Sequence, residues 1–170
     1  MDLYLVRHAI AEERDPLRWP DDRQRPLSKD GIVTFESAAR GLRRIAPKVE
    51  VLLSSPLVRA RQTAAILVER TGWPVPRIIE AAAPETTPEE TIGALRAFSG
   101  TRSLAIVGHE PHLSALTTLL IASDAAVPAV QFRKGGIALI KLAQDPRPAG
   151  GTLRWLLPPK LLRLLGGLAT

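Results

Sequence analysis

The sequence predicts an α/β fold, a three-layer α/β/α sandwich around a largely parallel central sheet. Short apolar, β-prone runs alternate with helical segments along the chain, as in a parallel sheet covered by helices. The short run at residues 3–6 and the run at 103–107, apolar from Leu104 to Val107, read as buried strands. The chain has 170 residues. That length fits one domain over residues 1–170, with a core that needs no covalent staples.

The elements follow in order. Residues 3–6 form the first strand, ending at the polar pair Arg7-His8. Residues 9–27 are polar, carry Pro16, Pro20 and Pro26, and read as a long surface loop, a length that is uncommon unless functional or disordered. Ser28 is placed to cap a helix over 29–46, where Ile32, Phe35, Ala39, Leu42 and Ile45 recur at helical spacing. Residues 50–54 are a second strand. Ser55-Pro56 reads as the start of a helix that buries Leu57, Ala60, Ala64 and Leu67 and ends at Gly72 and Pro74. Residues 77–80 suit a short edge strand. Thr87-Pro88-Glu89-Glu90 opens a third helix, with acids where the helix dipole favours them. The strand at 103–107 runs into Gly108-His109-Glu110-Pro111 and a helix carrying Leu113, Leu116 and Leu120. Residues 136–142 and 152–157 are the last strands, expected to pair antiparallel. Pro158-Pro159 stops the second of them, and a short Leu-rich helix follows.

Composition narrows the chemistry. There is no cysteine, which excludes a disulfide framework, a thiolate nucleophile and a cysteine metal site. Asp2 and Arg7 interrupt what would otherwise be an apolar leader, and no run approaches the length of a membrane helix. A soluble, cytoplasmic protein is expected. The net charge of +6 favours an anionic partner. Arg40, Arg43 and Arg44 share one helix face and read as a solvated surface. Aromatic residues make up only 4%, and no basic run is interleaved with them, which argues against a nucleic-acid binder.

Three polar signals fall at the ends of strands: Arg7-His8, then Ser54, Ser55 and Arg59, then Gly108-His109. Sites in open α/β sheets form outside the carboxyl ends of strands. Two arginines offer planar forks that match phosphate oxygens. Helix N-termini add backbone N–H groups. A neutral imidazole can attack phosphorus in line, and a second histidine can donate to an equatorial oxygen. The group such a set would hold is a phosphoryl. His109 and His112, three residues apart, are also a metal-ligand spacing, but no third ligand completes a set; His112 reads as a bystander.

Leu3-Tyr4-Leu5-Val6-Arg7-His8-Ala9 resembles the Arg-His-Gly motif of the histidine phosphatase superfamily. Ser54-Ser55-Pro56-Leu57-Val58-Arg59-Ala60-Arg61-Gln62-Thr63-Ala64 resembles its second block, and Val107-Gly108-His109 its third. Arg25-Pro26-Leu27-Ser28-Lys29-Asp30-Gly31 resembles the stretch that opens the first helix there. The blocks stand in family order over residues 2–143. The short chain is similar to the SixA-type phosphohistidine phosphatases within that phosphoglycerate mutase-like superfamily.

The resemblance implies His8 as nucleophile and Arg7, Arg59 and His109 as phosphoryl ligands, with Arg25 at the rim. It implies no metal and no cofactor. Ala9 departs from the motif, since a glycine usually stands there. In larger members a carboxylate after the third strand protonates the leaving alcohol. Glu80 and Glu85 lie in that region, in no convincing motif. An imidazole leaving group needs less help from a dedicated acid than an alkoxide does, which favours a phosphohistidine-bearing protein as the substrate. The rivals are a small-molecule phosphomonoesterase with the same pocket and a non-catalytic phosphoprotein-binding module. Retention of both His8 and His109 speaks against the module, because binding alone needs no imidazole nucleophile.

Overall fold

The computed structural model describes residues 1–122, 130–143 and 145–167. Strands β1 (Asp2–Arg7), β2 (Val51–Ser54), β3 (Arg77–Ile78), β4 (Ser103–Gly108), β5 (Ile137–Leu142) and β6 (Gly151–Leu157) form one sheet in the order β3-β2-β4-β1-β5-β6. β3, β2, β4 and β1 run parallel, while β5 lies antiparallel against β1 and β6 antiparallel against β5. The sheet is therefore mixed, with the final strand pair extending it at the β1 edge.

Helices α1 (Lys29–Ile45), α2 (Val58–Thr71) and α5 (Pro159–Gly167) cover one face; α3 (Pro88–Leu95) and α4 (His112–Ile121) cover the other. The strand alternation assigns side chains to the two cores. Tyr4, Val6, Leu52, Ala105 and Val107 point toward α1 and α2; Leu3, Leu5, Val51, Leu53, Leu104 and Ile106 point toward α3 and α4. Both faces of the inner strands β1, β2 and β4 are covered, which is why their central residues are largely apolar, whereas the short edge strand β3 is exposed. Tyr4 anchors the first core, with ring centroids 5.5 Å from Trp73 and 6.0 Å from Trp155. α1 and α5 approach so closely that a Cβ on Gly41 would lie 1.7 Å from the carbonyl oxygen of Leu162.

The local expectations hold where capping chemistry is strong. Ser28 caps α1 by accepting from the Gly31 N–H at 3.0 Å. Thr87 and Glu90 form a reciprocal capping box at α3, with Pro88 at its first position. Gly72 ends α2 at φ 73°, a left-handed conformation that glycine adopts without a Cβ penalty.

Two boundaries differ. Ser55-Pro56 does not begin α2, which starts at Val58 after Leu57 with no side-chain cap. The Ser55 hydroxyl instead faces His109 and accepts only a 3.3 Å bond from the Leu57 N–H. The edge strand ends at Ile78, and Glu80 opens a short 3₁₀ turn, Glu80–Ala82. The long loop is folded back on itself: Ala11 bridges Leu27, Glu12 N–H donates to the Pro26 carbonyl, and Asp22–Gln24 forms a 3₁₀ turn.

Candidate active site

Parallel register assembles the site. Arg7 on β1 lies opposite Gly108 on β4, and Val107 lies opposite Ser54 on β2. The next residue on each strand is His8, His109 or Ser55, so three separate blocks of sequence emerge side by side. Backbone bonds continue the pairing past the strand ends. His8 N–H donates to the Gly108 carbonyl at 3.0 Å, and Ser55 N–H donates to the Val107 carbonyl at 3.0 Å. The imidazoles of His8 and His109 stand with centroids 5.0 Å apart and planes inclined by 52°.

Each ring has a fixed partner. His8 Nδ1 lies 2.7 Å from the Ala9 carbonyl oxygen. A carbonyl only accepts, so Nδ1 carries the proton and Nε2 keeps its lone pair. Ala9 N–H donates to Thr63 Oγ1 at 3.0 Å, and that hydroxyl donates to the Arg59 carbonyl at 2.7 Å. Ala9 is not among the positive-φ residues, so its Cβ brings no backbone strain where the family motif has glycine.

His109 Nε2 lies 2.8 Å from Ser55 Oγ. When the hydroxyl donates, His109 carries its proton on Nδ1. That atom is buried and has no partner among the described residues.

Arg59, in the first turn of α2, is 5% exposed. Its Nη1 donates to the Asp22 carbonyl at 2.8 Å and its Nη2 lies 3.1 Å from Asp22 Oδ2, while Nε is buried without a partner among the described residues. Arg7 Nη1 donates to the Phe132 carbonyl at 2.6 Å, and its Nε likewise has no partner among the described residues. Arg25 donates to Asp22 Oδ1 and to the Glu12 carbonyl, both at 2.7 Å.

All of Arg7, His8, Arg25, Arg59 and His109 line one cavity of about 910 Å³ that opens to solvent. Buried donors left without partners are uncommon. Three of them, on Arg7, Arg59 and His109, belong to side chains lining this one cavity.

The electrostatics suit an anion and a neutral base. Burial pushes the His8 pKa down to about 3, and the cations of Arg59, Arg7 and Arg25 push the same way. Burial also pushes His109 down, helped by His8 and Arg59. Both rings are neutral near pH 7, so the positive charge of the cavity floor resides on guanidiniums.

The other sequence candidates lie farther out. Glu80 is exposed and pairs with Arg23 at 3.1 Å; Glu85 lines the cavity, exposed, 4.0 Å from the same arginine. His112 does not line the cavity. Its Nδ1 lies 2.9 Å from the Thr86 carbonyl oxygen and its Nε2 lies 2.8 Å from Thr91 Oγ1, tying α4 to the segment that leads into α3. Among the described residues no group of three His, Asp or Glu side chains is arranged to hold a metal ion. No helix among them is long and apolar enough to cross a membrane. Ser55 is expected as a helix cap, not as the partner of His109, and Asp22 has no expected role. Ser55 stands inside the second block, and its place after a strand end was the available signal. Asp22 lies in a loop with no periodicity, and nothing local marks it.

Fold and site together define a phosphoryl-handling protein of the α/β sandwich class. The sequence profile of the histidine phosphatase superfamily (branch 1) matches residues 3–86. The uncharacterized protein Rv1276c of Mycobacterium tuberculosis is 36% identical over 148 residues, 81% of this chain and 87% of that one. The phosphohistidine phosphatase SixA of Escherichia coli is 26% identical over 172 residues, 96% of this chain and 98% of its own. A solved structure of the protein histidine phosphatase SixA with tungstate superposes with a TM-score of 0.83 at 24% identity, covering 95% of this chain and 99% of that one. The α-ribazole phosphatase from Shigella flexneri shares the fold, with a TM-score of 0.71 at 19% identity over 94% and 97% of the two chains. The chain belongs to the histidine phosphatase superfamily.

Proposed function

We propose that this protein is a phosphohistidine phosphatase that removes the phosphoryl group from a histidine on a partner protein, with residues 1–170 acting as one cytoplasmic domain. The observation that carries the reading is the set of three unpartnered buried nitrogens, Arg7 Nε, Arg59 Nε and His109 Nδ1, on side chains that share one cavity with the neutral His8 imidazole. They suit the equatorial oxygens of a phosphoryl group. The similarity to SixA favours histidine as the phosphoryl carrier.

The chemistry has two displacements. His8 Nε2 attacks phosphorus, an N–P bond forms, and the bond from phosphorus to the leaving imidazole breaks as that nitrogen takes a proton. Water then attacks phosphorus, the His8 N–P bond breaks, and phosphate departs. Arg7 and Arg59 hold the charge that spreads over the oxygens, and the Ala9 carbonyl steadies the His8 ring as its other nitrogen takes the phosphoryl group. No step uses a metal or cofactor.

A small phosphate ester is the second reading, favoured by Glu85 at the cavity wall, where a carboxylate would serve a poor leaving group. The test is turnover of one phosphohistidine protein beside several phosphate esters, using wild type and His8→Ala. Wild type should favour the phosphoprotein and trap phosphate on His8 after a rapid quench without acid. A folded His8→Ala variant with normal turnover would overturn the assignment.

A further inference from the structure

Asp22 lines the cavity without a task in the proposed reaction, and it sits on the very groups that should hold phosphate. Its Oδ2 lies 3.1 Å from Arg59 Nη2, its Oδ1 2.7 Å from Arg25 Nε, and its backbone oxygen accepts from Arg59 Nη1 at 2.8 Å. Arg14 stands 3.6 Å from the same carboxylate. Both terminal nitrogens of Arg59 are therefore engaged by one residue, and only Nε is unpartnered.

We propose that Asp22 is a specificity-determining residue whose carboxylate occupies the place of phosphoryl oxygens on Arg59 and Arg25, so that free phosphate is held weakly and leaves quickly. The inference rests on reading the cavity as a phosphoryl pocket. An arriving dianion must share the arginines with this carboxylate or displace it, and like charges at that range repel. A phosphoryl group carried on a protein offsets this cost with contacts around the open mouth. Inorganic phosphate has only the pocket floor, so the cost falls on its affinity in full. Burial raises the Asp22 pKa, but the hydrogen bond from Arg25 and the cations of Arg59, Arg25 and Arg14 together hold it below the usual carboxylate value, so the group is charged when product forms.

Asp22→Asn keeps the shape and the backbone bond to Arg59 while removing the charge. Asp21→Asn is the control. Asp21 lines the same cavity, but its carboxylate accepts from the Arg23 N–H at 2.9 Å, and asparagine caps as well as aspartate does. Inorganic phosphate is titrated calorimetrically into wild type and both variants, and its inhibition of turnover is measured alongside. Asp22→Asn should tighten phosphate by about tenfold or more, the worth of one charge-assisted hydrogen bond, and Asp21→Asn by much less. Asp22→Ser serves if the asparagine variant does not fold. Unchanged or weaker phosphate affinity in a folded Asp22 variant would overturn the proposal and make Asp22 a brace for Arg59. Equal tightening in both variants would also overturn it, as a general charge effect. If wild type and the Asp22 variant both fail to bind phosphate, the phosphoryl pocket itself is refuted, and the inference falls with it.

Discussion

Ser55→Ala tests whether the proton on His109 is placed by a single hydroxyl. Ser55 is 0% exposed and His109 is 2% exposed, and their bond is 2.8 Å long. Alanine removes the oxygen and leaves the buried Nε2 of His109 without this partner. A buried polar group left unpaired costs about 1–3 kcal/mol. For a chain of this size that lowers Tm by roughly 2–4 °C per kcal/mol. Catalysis should suffer separately. Without the donor on Nε2 the ring is free to carry its proton there, which turns the Nδ1 lone pair toward an anion. Restoring the productive form draws on the same interaction energy, so kcat/KM should fall about tenfold to a hundredfold at 1.36 kcal/mol per decade. The assay pairs thermal melting with steady-state kinetics on a phosphohistidine substrate. A variant that melts lower but turns over normally would show that the hydroxyl only packs. One that matches wild type in both would refute the hydrogen-bond assignment.

Three further outcomes are expected. Burial pushes the His8 pKa down to about 3 in the folded state from the ordinary imidazole value of 6.5, so the unfolded chain binds more protons between those values. Stability should then be full above about pH 6.5 and fall as pH drops toward 3; His8→Gln should flatten that slope in pH-dependent melts, and an unchanged slope would count against the burial argument. Activity should survive strong chelation, and loss with EDTA followed by recovery with Mg²⁺ or Zn²⁺ would remove most of the support for a histidine nucleophile. Glu80→Gln and Glu85→Gln should each slow phosphohistidine hydrolysis far less than His8→Ala does, and should matter more with an alkyl phosphate. A glutamate as essential as His8 toward phosphohistidine would move the small-ester reading ahead.

The features legible from the chain alone arise from interactions that are local or periodic. Uninterrupted apolar runs mark strands that are covered on both faces. Ser28, Gly72 and the Thr87-Glu90 pair mark helix ends because their bonds close within a few residues. Arg7, His8, Arg59 and His109 were legible because each follows a strand end in a block that resembles a known motif. Tertiary structure decided what depends on register and on loops. The pairing of Arg7 with Gly108 and of Val107 with Ser54 places His8, His109 and Ser55 in a row, and no local pattern encodes which strands are neighbours. That register turned Ser55 from an expected helix cap into the partner of His109. The fold of residues 9–27 brings Asp22 onto Arg59, 37 residues away. Loop paths are set by scattered contacts such as the Ala11–Leu27 bridge and the Leu27 N–H bond to Gln62. These form only once the sheet and helices are packed, so the sequence carries no period or spacing from which to read them.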